Sequence, residues 1–387
     1  MKHWRLTKPL RGAIRAGHPW IYDRALAPPK DLRAGDIVIV ADEDGPLCTV
    51  LAEPESPIRA RVLDLDVTRA IDAGWIRART EAAAARRVRD PLLVGCTGMR
   101  LVHGEGDACP GLVVDHYDTT AAVVFDGAAA AAFWRPRLAD AIAGLERGGI
   151  TIEHVWVRGE RGQRAQGSAW RGDPPELVAI NEDGARFHVD VRNGQKTGFF
   201  LDQRDNRRMI RRHASGARVL NVFSYTGGFS IHAALGGARA VTSVDIAAPA
   251  ITALEANLVL SGIDPGAHES ASIDAFDFFA RSAKRGRQWD LVIVDPPSFA
   301  PSEKARPAAL AAYKKLAIAA LGVTAPGGRF ALASCSSHVS EADLMQLVTG
   351  IGHTLRLRLA GGAGSDHPVL PAFPEGRYLK FLLFDVG

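Results

Sequence analysis

Cysteine is scarce in this 387-residue chain, with four in all. Cys48, Cys96, Cys109 and Cys335 are scattered, and no two form a CxxC pair. A zinc site or a disulfide framework is therefore not expected, and neither is any other metal centre. A reducing cytoplasm is the expected compartment. No run of about 18 apolar residues occurs, so no membrane span or membrane partner is expected. The start, MKHWRLTKPLRGAIRAGHPW, is basic but lacks the apolar block and cleavage site of a secretory signal. The basic GK[ST] of a P-loop is missing, and the one glycine turn that opens a helix does not fit GxGxxG. Internal repeats and low-complexity tails are also missing.

What is present is globular: 47% apolar and 23% charged residues, with a net charge of only +4. The length favours two or three domains. The positive charge is patchy. Residues 1–24 hold Lys2, Arg5, Lys8, Arg11, Arg15 and Arg24 against Asp23, and residues 203–218 hold six arginines against Asp205. Both patches suit a phosphate backbone, although arginine is used heavily throughout.

Three textures follow one another. Residues 1–72 carry short β-rich runs at Asp36–Ala41, Pro46–Ala52 and Ile58–Leu65, broken by turn residues, and predict a small β-barrel. A helix is expected over Trp75–Asp90. Residues 76–188 predict a compact α+β domain, with a helix near Ala131–Glu146 holding Pro136 in its first turns and an exposed loop or hairpin at Gly159–Pro175. From residue 189 to 387, strand-like and helix-like runs alternate, the pattern of a parallel, doubly wound, Rossmann-like sheet.

The chemistry-bearing residues fall in that last part. DLVIVDPPSFA, Asp290–Ala300, reads as a strand buried on both faces that ends in Asp295, Pro296 and Pro297. Open α/β sheets bind ligands at that edge, and the prolines stiffen the turn. RVLNVFSYTGGFSIHAAL, Arg218–Leu235, reads as strand, glycine turn and helix, with Asp245 ending the next strand about twenty residues on, where a carboxylate commonly accepts from ribose hydroxyls. An adenosine cofactor without a pyrophosphate fits, and S-adenosylmethionine is the common one. Asp274 could meet the adenine edge or simply cap a helix. Cys335, in ALASCSSH, is either a nucleophile opening onto the Asp295 cleft or an inert buried thiol. Ser340 with Asp343 predicts a capping box. In NGQKTGFFLDQRDNRR, Phe199 and Phe200 sit between Lys196 and Arg204, a composition suited to base stacking or to a core with a solvated helix face.

Taken together, NGQKTGFFLDQRDNR, VLNVFSYTGGFS, SVD, DPPSF, SCSSH and DHPVLPAFPEGRYLK resemble the RlmI-like ribosomal RNA large-subunit methyltransferases. GHPWIY and SPIRARVL resemble that family's amino-terminal PUA domain, and LVHGEGDACPGLVVD its central domain. The resemblance implies S-adenosylmethionine-dependent methylation of carbon 5 of a cytosine in 23S ribosomal RNA, on an unfolded or single-stranded region. It implies Cys335 and Asp295 as catalytic residues. Cofactor contacts carry over to Gln203, Phe223, Ser224, Tyr225, Thr226, Gly227, Asp245, Asp274 and Asp295. RNA contacts carry over to Pro296, Pro297, Phe299 and Arg204, joined by Arg11 and Arg15 of the basic start. Two departures are Ser298, where a lysine often follows the prolines, and DACPG in place of DGLPG. An N-methyltransferase acting on another base or a small molecule, and a non-catalytic RNA-binding assembly factor, remain alternatives. Oligomeric state stays open, a homodimer included.

Overall fold

A computed structural model of the chain describes residues 2–28, 30–159 and 167–387. The contacts divide it into two compact units. The first holds Met1–Ile180, Val189–Leu201 and Ser365–Gly376; the second holds Asn181–His188, Asp202–Gly364 and Arg377–Gly387.

The first unit contains two five-stranded sheets. In the amino-terminal sheet the strands run in the order His3–Arg5, Ile37–Asp42, Gly45–Ala52, Ile58–Asp64, Trp20–Tyr22. Trp4, Ile21, Val38, Val40 and Val50 form its core. The strands at His3–Arg5 and Trp20–Tyr22 are too short to announce themselves by periodicity. The second sheet packs on the helix Ala73–Val88, which Asp72 caps by accepting from the Trp75 amide. The helix expected over 131–146 is in fact two, Ala128–Trp134 and Leu138–Arg147, separated by a 3₁₀ turn at Arg135–Arg137. Pro136 lacks an amide and its ring clashes with the preceding turn, so the chain breaks there. Of the loop expected at Gly159–Pro175, residues 160–166 lie outside the described residues, and Ser168–Arg171 is a strand paired with His154–Val157.

The second unit is a seven-stranded sheet flanked by helices. Its strands are β1 (Arg218–Val222), β2 (Ala240–Asp245), β3 (Glu269–Ser272), β4 (Trp289–Val294), β5 (Thr324–Ser334), β6 (Leu355–Gly361) and β7 (Lys380–Val386). Its helices are α1 (Arg204–His213), α2 (Gly228–Leu235), α3 (Ala248–Leu260), α4 (Ala275–Lys284), α5 (Arg306–Leu321) and α6 (Glu341–Leu347). Strand order is 3-2-1-4-5-7-6, with β7 antiparallel to β5 and β6 antiparallel to β7. Successive side chains of the central strands enter opposite cores. Leu220, Val222, Val292 and Val294 join one, with the α4, α5 and α6 residues Phe278, Tyr313 and Leu344. Val219, Leu291 and Ile293 join the other, with Ile210 of α1 and Phe229 of α2. Coverage of both faces explains why Leu291–Val294 of β4 is an unbroken apolar run and why β1 is interrupted only by Asn221, whose Nδ2 donates to Ser230 at 2.9 Å. β1 lies between β2 and β4, so the direction of winding reverses beside it, and the crevice opens at the strands' carboxyl ends.

Candidate active site

Four carboxyl ends converge on that crevice. After β1 the chain turns through Phe223–Gly227. Phe223 (φ 62°) and Tyr225 (φ 47°) both adopt left-handed backbone, which is uncommon for residues of their bulk and is a form of strain that clusters at ligand sites. Gly227 (φ 90°) must be glycine: a Cβ there would lie 2.8 Å from Leu254 Cγ of α3. Asp245 closes β2 and braces the turn, accepting from the Tyr225 amide at 2.9 Å through Oδ2 and from the Ala247 amide at 2.9 Å through Oδ1. Ser224 is buried, and its Oγ has no hydrogen-bond partner among the described residues. A buried hydroxyl left open beside a half-exposed carboxylate fits a polar ligand such as the sugar and amino-acid parts of S-adenosylmethionine. Thr226 is half-buried, and its carbonyl accepts from Asn257 Nδ2 at 3.0 Å.

Asp274 caps α4, with Oδ1 accepting from the Phe276 and Asp277 amides at 2.8 and 3.2 Å. The capping reading of this residue is therefore realised. The carboxylate is exposed, so its second oxygen remains open to solvent or ligand.

β4 and β5 run parallel, with Val294 opposite Leu332. Asp295 and Cys335 follow just beyond their ends, and both are half-buried. Cys48 and Cys109, by contrast, are wholly inside, and burial pushes both thiols up, that of Cys48 to about 12; Cys96 is buried too. The neighbours of Cys335 are fixed. Ser334 Oγ accepts from the Tyr313 hydroxyl at 2.9 Å, and Ser336 Oγ donates to the Ala300 carbonyl at 3.0 Å. Tyr313 senses both site residues: burial pushes its phenol up to about 12, the Ser334 bond opposes that, and the charges of Cys335 and Asp295 add to it. His338 Nδ1 lies 3.2 Å from Glu303, and Ser340 with Asp343 forms the expected capping box at the start of α6.

Gln203 is buried and donates through Nε2 to Asp295 Oδ2 at 2.9 Å, while its Oε1 accepts from Asn206 at 2.6 Å. It reaches the site by orienting the carboxylate.

Several expected RNA contacts are corrected. Arg204 is 0% exposed, beside Glu182 at 3.5 Å, and so is a core residue that cannot meet a phosphate. Arg207 is equally buried, forming a two-pronged pair with Glu182 at 2.6 and 2.7 Å. Arg208 pairs with Asp183 and Asp205. Of the six arginines at 203–218, Arg204 and Arg207 are buried, Arg208 and Arg211 are half-buried, and only Arg212 and Arg218 are exposed, so the run is not one phosphate-facing patch. Pro296 is buried, and Pro297 is the exposed member of the pair. Phe299 is half-buried with its ring 4.8 Å from that of Tyr313. Arg11 is half-buried and engaged by Asp42 through two nitrogens, whereas Arg15 is exposed. In the first unit, Phe199 is core and Lys196 stacks over the Phe200 ring at 4.3 Å.

Two features escaped the sequence reading. Tyr313 lies on the inner face of α5, and Lys380 opens β7 directly opposite Ser334. Tyr313 stands in no quoted motif; Lys380 closes the DHPVLPAFPEGRYLK run, but nothing in that run marks it, and only the sheet's return strand brings it to the site.

Comparison with known proteins bears on the family and the fold. A family model described as S-adenosylmethionine-dependent methyltransferase matches residues 153–345, and one described as a PUA-like domain matches residues 5–65. A Deinococcus radiodurans protein named ribosomal RNA large subunit methyltransferase is 39% identical, over 98% of this chain and 97% of its own length. An Alteromonas mediterranea protein named ribosomal RNA large subunit methyltransferase I is 34% identical, over 97% and 96%. A crystal structure of a methyltransferase complexed with SAH superposes with a TM-score of 0.87 at 21% identity, covering all of both chains. That last likeness speaks to the fold.

Proposed function

This chain belongs to the ribosomal RNA large subunit methyltransferase family, and from that premise we propose that it methylates carbon 5 of a cytosine in 23S ribosomal RNA, with Cys335 as nucleophile and Asp295 as its partner. The enzyme is an S-adenosylmethionine-dependent methyltransferase. The cofactor supplies an electrophilic methyl group when bound. The Phe223–Gly227 turn, Ser224 and Asp245 would hold it, with Asp274 at the adenine side.

Carbon 5 of cytosine is a weak nucleophile. Addition of the Cys335 thiolate to carbon 6 would make an enamine whose carbon 5 can accept the methyl group. Loss of the proton from carbon 5 would then restore the ring and release the thiolate. Asp295, oriented by Gln203, would hold the base edge or share a proton with the ring. The observation that carries this reading is the exposure of Cys335. It is the one half-exposed cysteine of the four, held between two buried serines at the strand end beside Asp295. The base must leave its stack to reach the crevice, which favours an unfolded or single-stranded substrate.

Cys335→Ala is expected to abolish transfer to 23S RNA while S-adenosylmethionine affinity by calorimetry stays within about twofold. Base mapping of the product should find 5-methylcytosine. A Cys335→Ala enzyme that still methylates its RNA would point to an exocyclic nitrogen target instead.

A further inference from the structure

Lys380 is a buried cation with no carboxylate of its own. It is 6% exposed and opens β7 in register with Ser334, the last residue of β5. Its Nζ donates to two backbone carbonyls, those of Ser336 and of Tyr378, the latter at 2.8 Å. Residue 335 lies between Ser334 and Ser336, so the lysine grips the strand end that carries the cysteine from both sides. Among the described residues no carboxylate forms an ion pair with Lys380. Asp343 of α6 is the nearest candidate in effect, but its two oxygens are taken by Arg306 at 2.7 Å and by Ser340. The Tyr378 hydroxyl donates to Asp202.

Burying an ammonium without a counter-charge is costly, and a lysine in that position ordinarily loses its proton. Burial here does pull the Lys380 ammonium down to about 8. The charge of Cys335 acts against that shift first, and Asp343 second. An ionised sulfur is thus the anion this cation is set to meet.

We propose that Lys380 is a positioning residue whose ammonium is the counter-charge of the Cys335 thiolate, keeping the sulfur ionised and aimed into the crevice at neutral pH. The lysine keeps its proton throughout, and the thiol proton is released to solvent. The proposal rests on the reading of Cys335 as nucleophile. The same pair explains why the lysine's other bonds go to neutral carbonyls: they fix the ammonium without neutralising it.

The test is the pH profile of alkylation at Cys335, followed by peptide mass spectrometry with iodoacetamide on the intact protein. The other three cysteines are buried and serve as internal controls. Wild-type Cys335 should titrate below the free-thiol value of about 8.5. Lys380→Met should raise that midpoint by about one pH unit and slow alkylation at pH 7 about tenfold, in step with the fall in kcat. Lys380→Arg, which keeps the charge, should restore most of the low midpoint. Circular dichroism and cofactor affinity check that each variant is folded. A midpoint in Lys380→Met equal to wild type would overturn the proposal while leaving the nucleophile intact. A wild-type midpoint at or above 8.5 would overturn it without any variant. Residual activity in Cys335→Ala would instead remove the nucleophile reading itself.

Discussion

Glu182 is a carboxylate buried inside the second unit among three basic side chains, and Glu182→Gln tests its weight directly. Its carboxylate takes a two-pronged bond from Arg207, lies 3.5 Å from Arg204, and stands 3.0 Å from His232 Nε2, all of them buried. Burial alone would push this carboxyl up, but Arg207 and His232 outweigh it and hold it well below the usual range. Glutamine keeps the shape and one acceptor, yet removes the anion that both guanidinium groups face. Breaking a buried pair by neutralising one partner costs about 3–5 kcal/mol. In a unit of this size that corresponds to a fall in melting temperature of about 6–20 °C. Scanning calorimetry with and without S-adenosylmethionine identifies the relevant transition, because only the unit that binds the ligand shifts upward with it. The pH dependence has a fixed sign. A carboxyl whose folded pKa is depressed contributes stability that is complete above its unfolded value, about 4.5, and that is lost as pH falls below it. His232 is itself pulled down, by burial first, so protonation of the unfolded chain also weakens the fold below about 6.5. Glu182→Gln should therefore flatten the acid limb below about pH 4.5 and deepen the histidine limb, because Glu182 partly offsets the effect of burial on His232. A ligand-shifted transition within 2 °C of wild type, to be judged against the roughly 6–20 °C expected, would refute the reasoning.

Two further expectations follow from single contacts. Gly227→Ala places a Cβ 2.8 Å from Leu254 Cγ at φ 90°, so left-handed strain and overpacking together should cost about 2–5 kcal/mol. Urea unfolding and calorimetric cofactor binding should both weaken, and unchanged affinity would mean the turn does not shape the cofactor site. Arg15→Ala should lower the slope of RNA affinity against salt by about one, whereas Arg11→Ala should lower thermal stability through loss of the Asp42 pair and leave the slope unchanged. Equal slopes in wild type and Arg15→Ala would remove Arg15 from the RNA-contacting surface.

The core strands of the second unit were legible because a parallel sheet covered on both faces writes itself as apolar runs. VLNV and LVIV announced β1 and β4, and the acids that close β2 and follow β4 announced Asp245 and Asp295, without any fold in view. β3 gave only a faint signal: Ala271 is the sole apolar residue of ESAS, a half-exposed strand at the sheet's edge. β6, LRLRLAG, alternates as a half-covered strand should, yet it lies next to β7, which follows it by almost twenty residues in the chain. The arginines misled for a physical reason. Guanidinium groups are read as surface by default, and only the fold shows that Glu182 draws Arg204 and Arg207 inside. Gln203 was expected to contact the cofactor; its bond to Asp295 depends on how the start of α1 meets the β4 edge, which spacing does not encode.

The excursion of residues 365–376 into the first unit has a practical consequence. Asp366 presents its carbonyl to Arg87 at 2.7 Å and its carboxylate to the Arg100 amide at 2.9 Å, and Phe373 sets its ring 4.5 Å from that of Trp20. A fragment ending at residue 201 would leave a buried guanidinium short of an acceptor and an aromatic ring bare to water. The amino-terminal half cannot therefore be excised as a self-sufficient module by cutting the chain once. Deletion studies need an internal graft of the returning segment, and a protease that nicks the chain between the units need not release either of them.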